Sequence, residues 1–158
     1  MSAAAAAAAA AFSSPFKLAA LPNKGIAVVA TRAIPAGTLL FTEQPLLLLA
    51  RESHATSHSA RVLAGFARLP PAAGSALMDL CSNLAPGAAE AAVVLGVWKA
   101  NVFCLDEDGT VNGLFALAAR LNHACCGGEN CRWEWDSEEG VMRFWTDQDV
   151  EVGCSCGV

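Results

Sequence analysis

The sequence predicts an α+β fold in which two groups of short strands flank a helical insert. Three observations carry that expectation. Strand-like apolar runs fall at residues 26–42 and again at 131–145, near opposite ends of the chain. The stretch between them is rich in Ala and Leu and repeats its apolar residues at helical spacing. No regular strand–helix–strand alternation is visible, which separates this pattern from a parallel α/β sheet.

Composition bounds the possibilities. The 158 residues are 54% hydrophobic and 16% charged, too apolar for a disordered chain. At this length a single domain is expected. Formal charge is −5, which argues against a direct nucleic-acid binder, whose phosphate contacts need clustered Lys and Arg. Mean hydropathy is +0.41, yet no uninterrupted apolar run of about 18 residues exists, so no membrane partner is expected. Seven Cys accompany an N-terminus without the basic flank or Leu-rich core of a secretory signal. Reduced thiols in an intracellular setting, cytoplasm or nucleus, fit that better than a disulfide framework.

The elements follow in order. Residues 1–15 form a low-complexity poly-Ala tail, a helix former with no caps and nothing to pack against, ending at Ser13-Ser14-Pro15. We expect it frayed or disordered, with the folded domain over 16–158. Residues 16–50 make the first strand part, with strands either side of Pro35-Ala36-Gly37; Pro presets φ for a turn and Gly accepts positive φ. Residues 51–112 are the helical insert, with helices expected over 59–69, 75–84 and 88–103. Pro70-Pro71 and Pro86-Gly87 separate them, and Asp106-Glu107-Asp108-Gly109 makes a turn. Residues 113–158 are the second strand part, with strands over 131–135 and 141–145 around a polar turn.

Several side-chain groups carry potential chemistry. Asn23-Lys24-Gly25-Ile26-Ala27 precedes the first strand run, and a glycine there lets backbone N–H groups approach a ligand. It lacks the spacing and following helix of a phosphate or dinucleotide loop, so on its own it reads as a turn. Asn122 and His123 stand with Cys125, Cys126 and Cys131 among loop-forming glycines. Such residues can fix a polar ligand or bind metal. Zinc needs a fourth ligand, which Cys154 or Cys156 would have to supply, and the spacing matches no common zinc module. Reduced Cys acting as small buried hydrophobes is the competing reading, and zinc is not expected. His54 and His58 read as part of a solvated loop, and the 106–109 turn lacks the twelfth-position Glu of a calcium loop. Three His, two of them in that loop, allow no Ser-His-Asp arrangement, and Cys125 is disfavoured as a nucleophile beside His123.

Together these pieces resemble the SET domain of protein-lysine methyltransferases. N-K-G-I-A-V-V-A-T-R-A-I-P-A-G-T-L-L-F is similar to the family's G-x-G-x-G-V-F-A-T-R-x-I-x-x-G motif and its strand. G-L-F-A-L-A-A-R-L-N-H-A-C resembles R-x-x-N-H-S-C with its approach, and V-M-R-F-W-T-D-Q-D-V-E-V-G resembles the strand and D-I-x-x-G turn that follow. The likeness spans about residues 23–153. It implies a β-rich SET-like fold of short strands with a helical insert and S-adenosylmethionine as cofactor. The implied cofactor-binding residues are Lys24, Gly25, Ile26 and Ala27 at its amino-acid end, with Asn122 and His123 on the other side. The implied partner is a protein substrate with a lysine side chain.

Departures from the family pattern shape the expectation of activity. Asn23 and Ala27 replace two motif glycines, Ala124 replaces a serine, and Asn130 falls two residues late. After the D-x-x-G turn the family continues with an acidic pair, a short strand and a tyrosine. Here Cys154-Ser155-Cys156-Gly157-Val158 follows, and no Tyr occurs anywhere. The sequence therefore reads as a SET-like fold incomplete at its C-terminal end, with exposed apolar surface expected there and no catalytic residue assigned. The alternatives to an active methyltransferase are an inactive SET-like scaffold or interaction protein, or an incomplete gene product.

Overall fold

The computed structural model describes residues 14–22, 25–50, 57–122 and 128–158. The chain divides into two compact units. The first comprises Met1–Thr42, Arg120–Asp136 and Met142–Val158; the second comprises Glu43–Ala119 and Ser137–Val141. The expected tail, residues 1–15, lies outside the described residues except for Ser14 and Pro15.

In the first unit, strand β1 (Phe16–Leu21) pairs antiparallel with β2 (Gly25–Ala30), from Phe16 opposite Ala30 to Leu21 opposite Gly25. Four consecutive β2 residues, Ala27, Val28, Val29 and Ala30, are buried, so this strand is a continuous apolar run rather than an alternating one. Its other edge meets the segment 154–156: Ala30 N–H donates to the Cys154 carbonyl (3.0 Å) and Cys156 N–H to the Val28 carbonyl (2.9 Å). Among the described residues β1 pairs only with β2, and its outer edge carries exposed Lys17, Leu18 and Ala20.

A second sheet runs in the order β3 (Leu39–Glu43), β8 (Val141–Thr146), β7 (Cys131–Asp136). Phe144 stacks on Phe41 at 4.8 Å between centroids, and Phe41 meets Phe16 at 5.6 Å. The Pro35–Gly37 turn is held by a buried Thr146, whose hydroxyl donates to the Pro35 carbonyl (2.7 Å) and accepts from Thr38 N–H (3.0 Å). Gly37 sits at φ +76°, the left-handed region that this turn was expected to need.

The second unit pairs β4 (Leu47–Ala50), β6 (Val111–Leu114) and β5 (Phe103–Cys104) in that order, all antiparallel. Three helices accompany them: α1 (His58–Phe66), α2 (Pro71–Met78) and α3 (Glu90–Asn101). Leu47, Val62, Leu77, Val97, Trp98 and Leu114 form the centre of its core. Glu43 accepts N–H bonds from Leu117 and Ala118, both at 2.8 Å, at the start of the 3-10 turn Ala118–Arg120.

Two helical boundaries differ from the sequence expectation. The helix expected over 75–84 starts at Pro71, since Pro suits the first helical position, and ends at Met78. Beyond it Asn83 takes a φ of +55°, and the Asn101 side-chain amide donates to the Cys81 carbonyl (2.8 Å), so 79–84 is held non-helical. His58, expected in a solvated loop, begins α1 and accepts a hydrogen bond from Trp98 Nε1 at 2.9 Å. His54 lies outside the described residues. No helix among the described residues is long and apolar enough to cross a membrane.

Candidate functional site

The site begins where β1 turns into β2. Gly25 takes a φ of +68°, and a β-carbon placed on it would meet no atom within 4 Å, so its backbone faces open space. The next residues diverge. Ile26 is 47% exposed, whereas Ala27 is fully buried. The methyl that Ala27 adds relative to a glycine is therefore accommodated in packed protein. Lys24 lies outside the described residues, as do His123, Cys125 and Cys126.

The second half is built around Asn122, just after the 3-10 turn. Its N–H donates to the Cys156 carbonyl (3.1 Å), and its carbonyl accepts from Val158 N–H (3.0 Å). Cys156 also donates its own N–H to Val28 of β2. The segment 154–158 thus runs between the strand carrying Gly25 to Ala27 and the segment carrying Asn122. The side-chain nitrogen of Asn122 is buried and has no hydrogen-bond partner among the described residues. An unpartnered buried donor costs roughly 1–3 kcal/mol, which a ligand acceptor at that position would recover.

Asn130 supplies what the sequence did not reveal. Its side chain reads the backbone of the same segment twice: Oδ1 accepts from Gly157 N–H (2.8 Å) and Nδ2 donates to the Ser155 carbonyl (3.0 Å). The N–H groups of Asn130 and Cys131 both donate to the Gly157 carbonyl, at 3.2 and 3.0 Å. This clamp seats Cys156 and Gly157 in the interior. The backbone groups of residues 154–158 find partners on β2, on Asn122 and on Asn130.

Two thiols are buried at this clamp, Cys131 and Cys156, and the Cys131 thiol donates to Asn130 Oδ1 at 3.3 Å. Interaction with Cys131 holds the Cys156 thiol below its ordinary range, while interaction with Cys156 and burial push Cys131 well above it. Cys154 is exposed. Among the described residues there is no cluster of three or more His, Cys, Asp or Glu able to hold a metal ion.

A glycine turn on one strand and an asparagine on the far side of a threaded segment match the two motifs that resemble a SET domain. The SET domain profile matches residues 25–154, and the chain belongs to the SET-domain family. It is similar to Histone-lysine N-methyltransferase set5 of Schizosaccharomyces pombe, with 27% identity over 139 residues covering 87% of this chain. The matched region spans 39% of that relative's length.

Proposed function

We propose that this chain binds S-adenosylmethionine and directs methyl transfer to a lysine amine of a protein substrate inside the cell. The observation that carries the reading is the buried Asn122 Nδ2, a donor without a hydrogen-bond partner among the described residues, beside the threaded segment. When bound, the cofactor supplies an electrophilic methyl group on a sulfonium centre. Lys24, Gly25, Ile26 and Ala27 would hold its amino-acid end, with the open backbone at Gly25 as the contact surface. Asn122 and His123 would hold it from the other side, the amide of Asn122 donating to a ligand oxygen or ring nitrogen. Burial of the Ala27 methyl removes the main objection to a non-glycine residue there. The formal charge of −5 suits a basic substrate, and the similarity to a histone-lysine methyltransferase makes histones the first to examine.

Calorimetric titration with S-adenosylmethionine tests the reading. Saturable binding is expected, and Asn122→Ala should weaken it about tenfold or more, roughly 1.4 kcal/mol, while leaving the ligand-free protein folded. Absence of heat at millimolar cofactor with folded protein would leave an inactive SET-like scaffold as the function. Transfer of labelled methyl to recombinant histones then tests the substrate class.

A further inference from the structure

Glu43 closes β3 and has no part in the binding roles proposed above. Its carboxylate spans two successive amides, 74 and 75 residues further on: Oε1 accepts from Leu117 N–H and Oε2 from Ala118 N–H, each at 2.8 Å. Those amides open the 3-10 turn Ala118–Arg120, and the first N–H groups of a helical turn have no acceptor within it. A Ser or Thr cap would serve one of them, whereas a carboxylate serves both at once. Ala118 and Leu121 are buried, so the turn is anchored at its start and just beyond its end. Asn122 follows directly, with the buried Nδ2 that has no hydrogen-bond partner among the described residues. Burial opposes the charge on Glu43, a cost that a neutral Gln of the same length would avoid.

We propose that Glu43 is a positioning residue: by holding the amides of Leu117 and Ala118 on its two oxygens, it sets the turn that presents the Asn122 side chain to the ligand. A Gln in its place keeps the length but has one acceptor oxygen, and its NH2 group meets the second N–H donor to donor. One side of the turn is then released, and Asn122 loses its fixed aim. The effect reaches the ligand only through Asn122. The part that Glu43 plays in binding rests on the S-adenosylmethionine reading; its hold on Asn122 does not.

Calorimetric titration of the full chain with S-adenosylmethionine tests the coupling, run on wild type, Glu43→Gln, Asn122→Ala and the double variant. Glu43→Gln should weaken binding about fivefold when Asn122 is present and less than about twofold in the Asn122→Ala background. Equal weakening in both backgrounds would reveal general loosening and overturn the proposal, as would unchanged affinity when Asn122 is present. Hydrogen exchange without cofactor reads the same hold independently. The Asn122 amide, bonded to the Cys156 carbonyl at 3.1 Å, should exchange several-fold faster in Glu43→Gln, while amides paired between β1 and β2 keep their rates. If wild type binds no cofactor at millimolar concentration, the cofactor reading fails and exchange decides alone. An Asn122 rate unchanged by the substitution then overturns the proposal, and a faster one sustains Glu43 as the residue that sets Asn122. Should Glu43→Gln not fold, Glu43→Asp takes its place in both measurements, since its carboxylate keeps the charge but stops one methylene short of the two amides.

Discussion

Gly25 shows how one backbone angle shapes the candidate site. At φ +68° a β-carbon costs about 1–2 kcal/mol in strain, although it would touch nothing. Gly25→Ala is therefore expected to lower stability by about that amount, read by urea denaturation, and to weaken S-adenosylmethionine binding by filling the open face. Glu43 carries a different signal. Burial holds its carboxyl above the ordinary glutamate range, and the N–H bonds from Leu117, Ala118 and Ala116 offset this only in part. A carboxyl raised in the folded state contributes stability below its unfolded pKa, about 4.3, and loses it as pH rises through the folded value. Wild type should therefore lose ground relative to Glu43→Gln as pH rises above about 4, measured as the difference in urea midpoints. Neither effect can be seen in the composition. Gly25 was legible because its motif is distinctive, whereas Glu43 is an unremarked acid at the end of a strand.

At the scale of elements, α3 contains Gly96, an apparent weakness in a helix. A β-carbon there would lie 2.6 Å from the Ser82 carbonyl oxygen, so the glycine permits close approach of the 79–84 segment. Gly96→Ala should destabilise by about 1–3 kcal/mol through overpacking, despite the better helix propensity of Ala, and urea unfolding would measure it. The elements that the sequence made legible share a feature: each is bracketed by its own punctuation. Pro35 and Gly37 mark the turn before β3, and residues 137–140 mark the one between β7 and β8. Less legible were β4 and β6. The Leu-Leu-Leu-Ala of β4 has no alternation, and the Val-Asn-Gly-Leu of β6 has poor strand formers, so cross-strand pairing decides both. The 79–84 stretch keeps helical apolar spacing because Leu80 must still reach the core, not because it is helical.

Across the whole molecule, the site depends on pairings between segments far apart in the chain. Residues 154–158 bond to β2, to Asn122 and to Asn130, and no local pattern announces such contacts. The two motifs were readable separately; the segment joining them was not, since Cys-Ser-Cys-Gly-Val resembles no strand signal. Deleting 154–158 should release the amides of Ala30, Asn122, Asn130 and Cys131, whose acceptors lie in that segment. Hydrogen exchange at those four amides should accelerate together, while amides paired within β1 and β2 follow only if that part of the fold collapses. Among the described residues the outer edge of β1 meets no strand, which has a further consequence for behaviour in solution. Its sequence Phe-Lys-Leu-Ala-Ala-Leu carries one charge, Lys17, which is exposed. That ammonium opposes strand-to-strand addition by a second molecule. Lys17→Val should leave the monomer's fold intact and bring concentration-dependent aggregation, seen as rising light scattering, so a single exposed lysine sets how concentrated this protein can be kept.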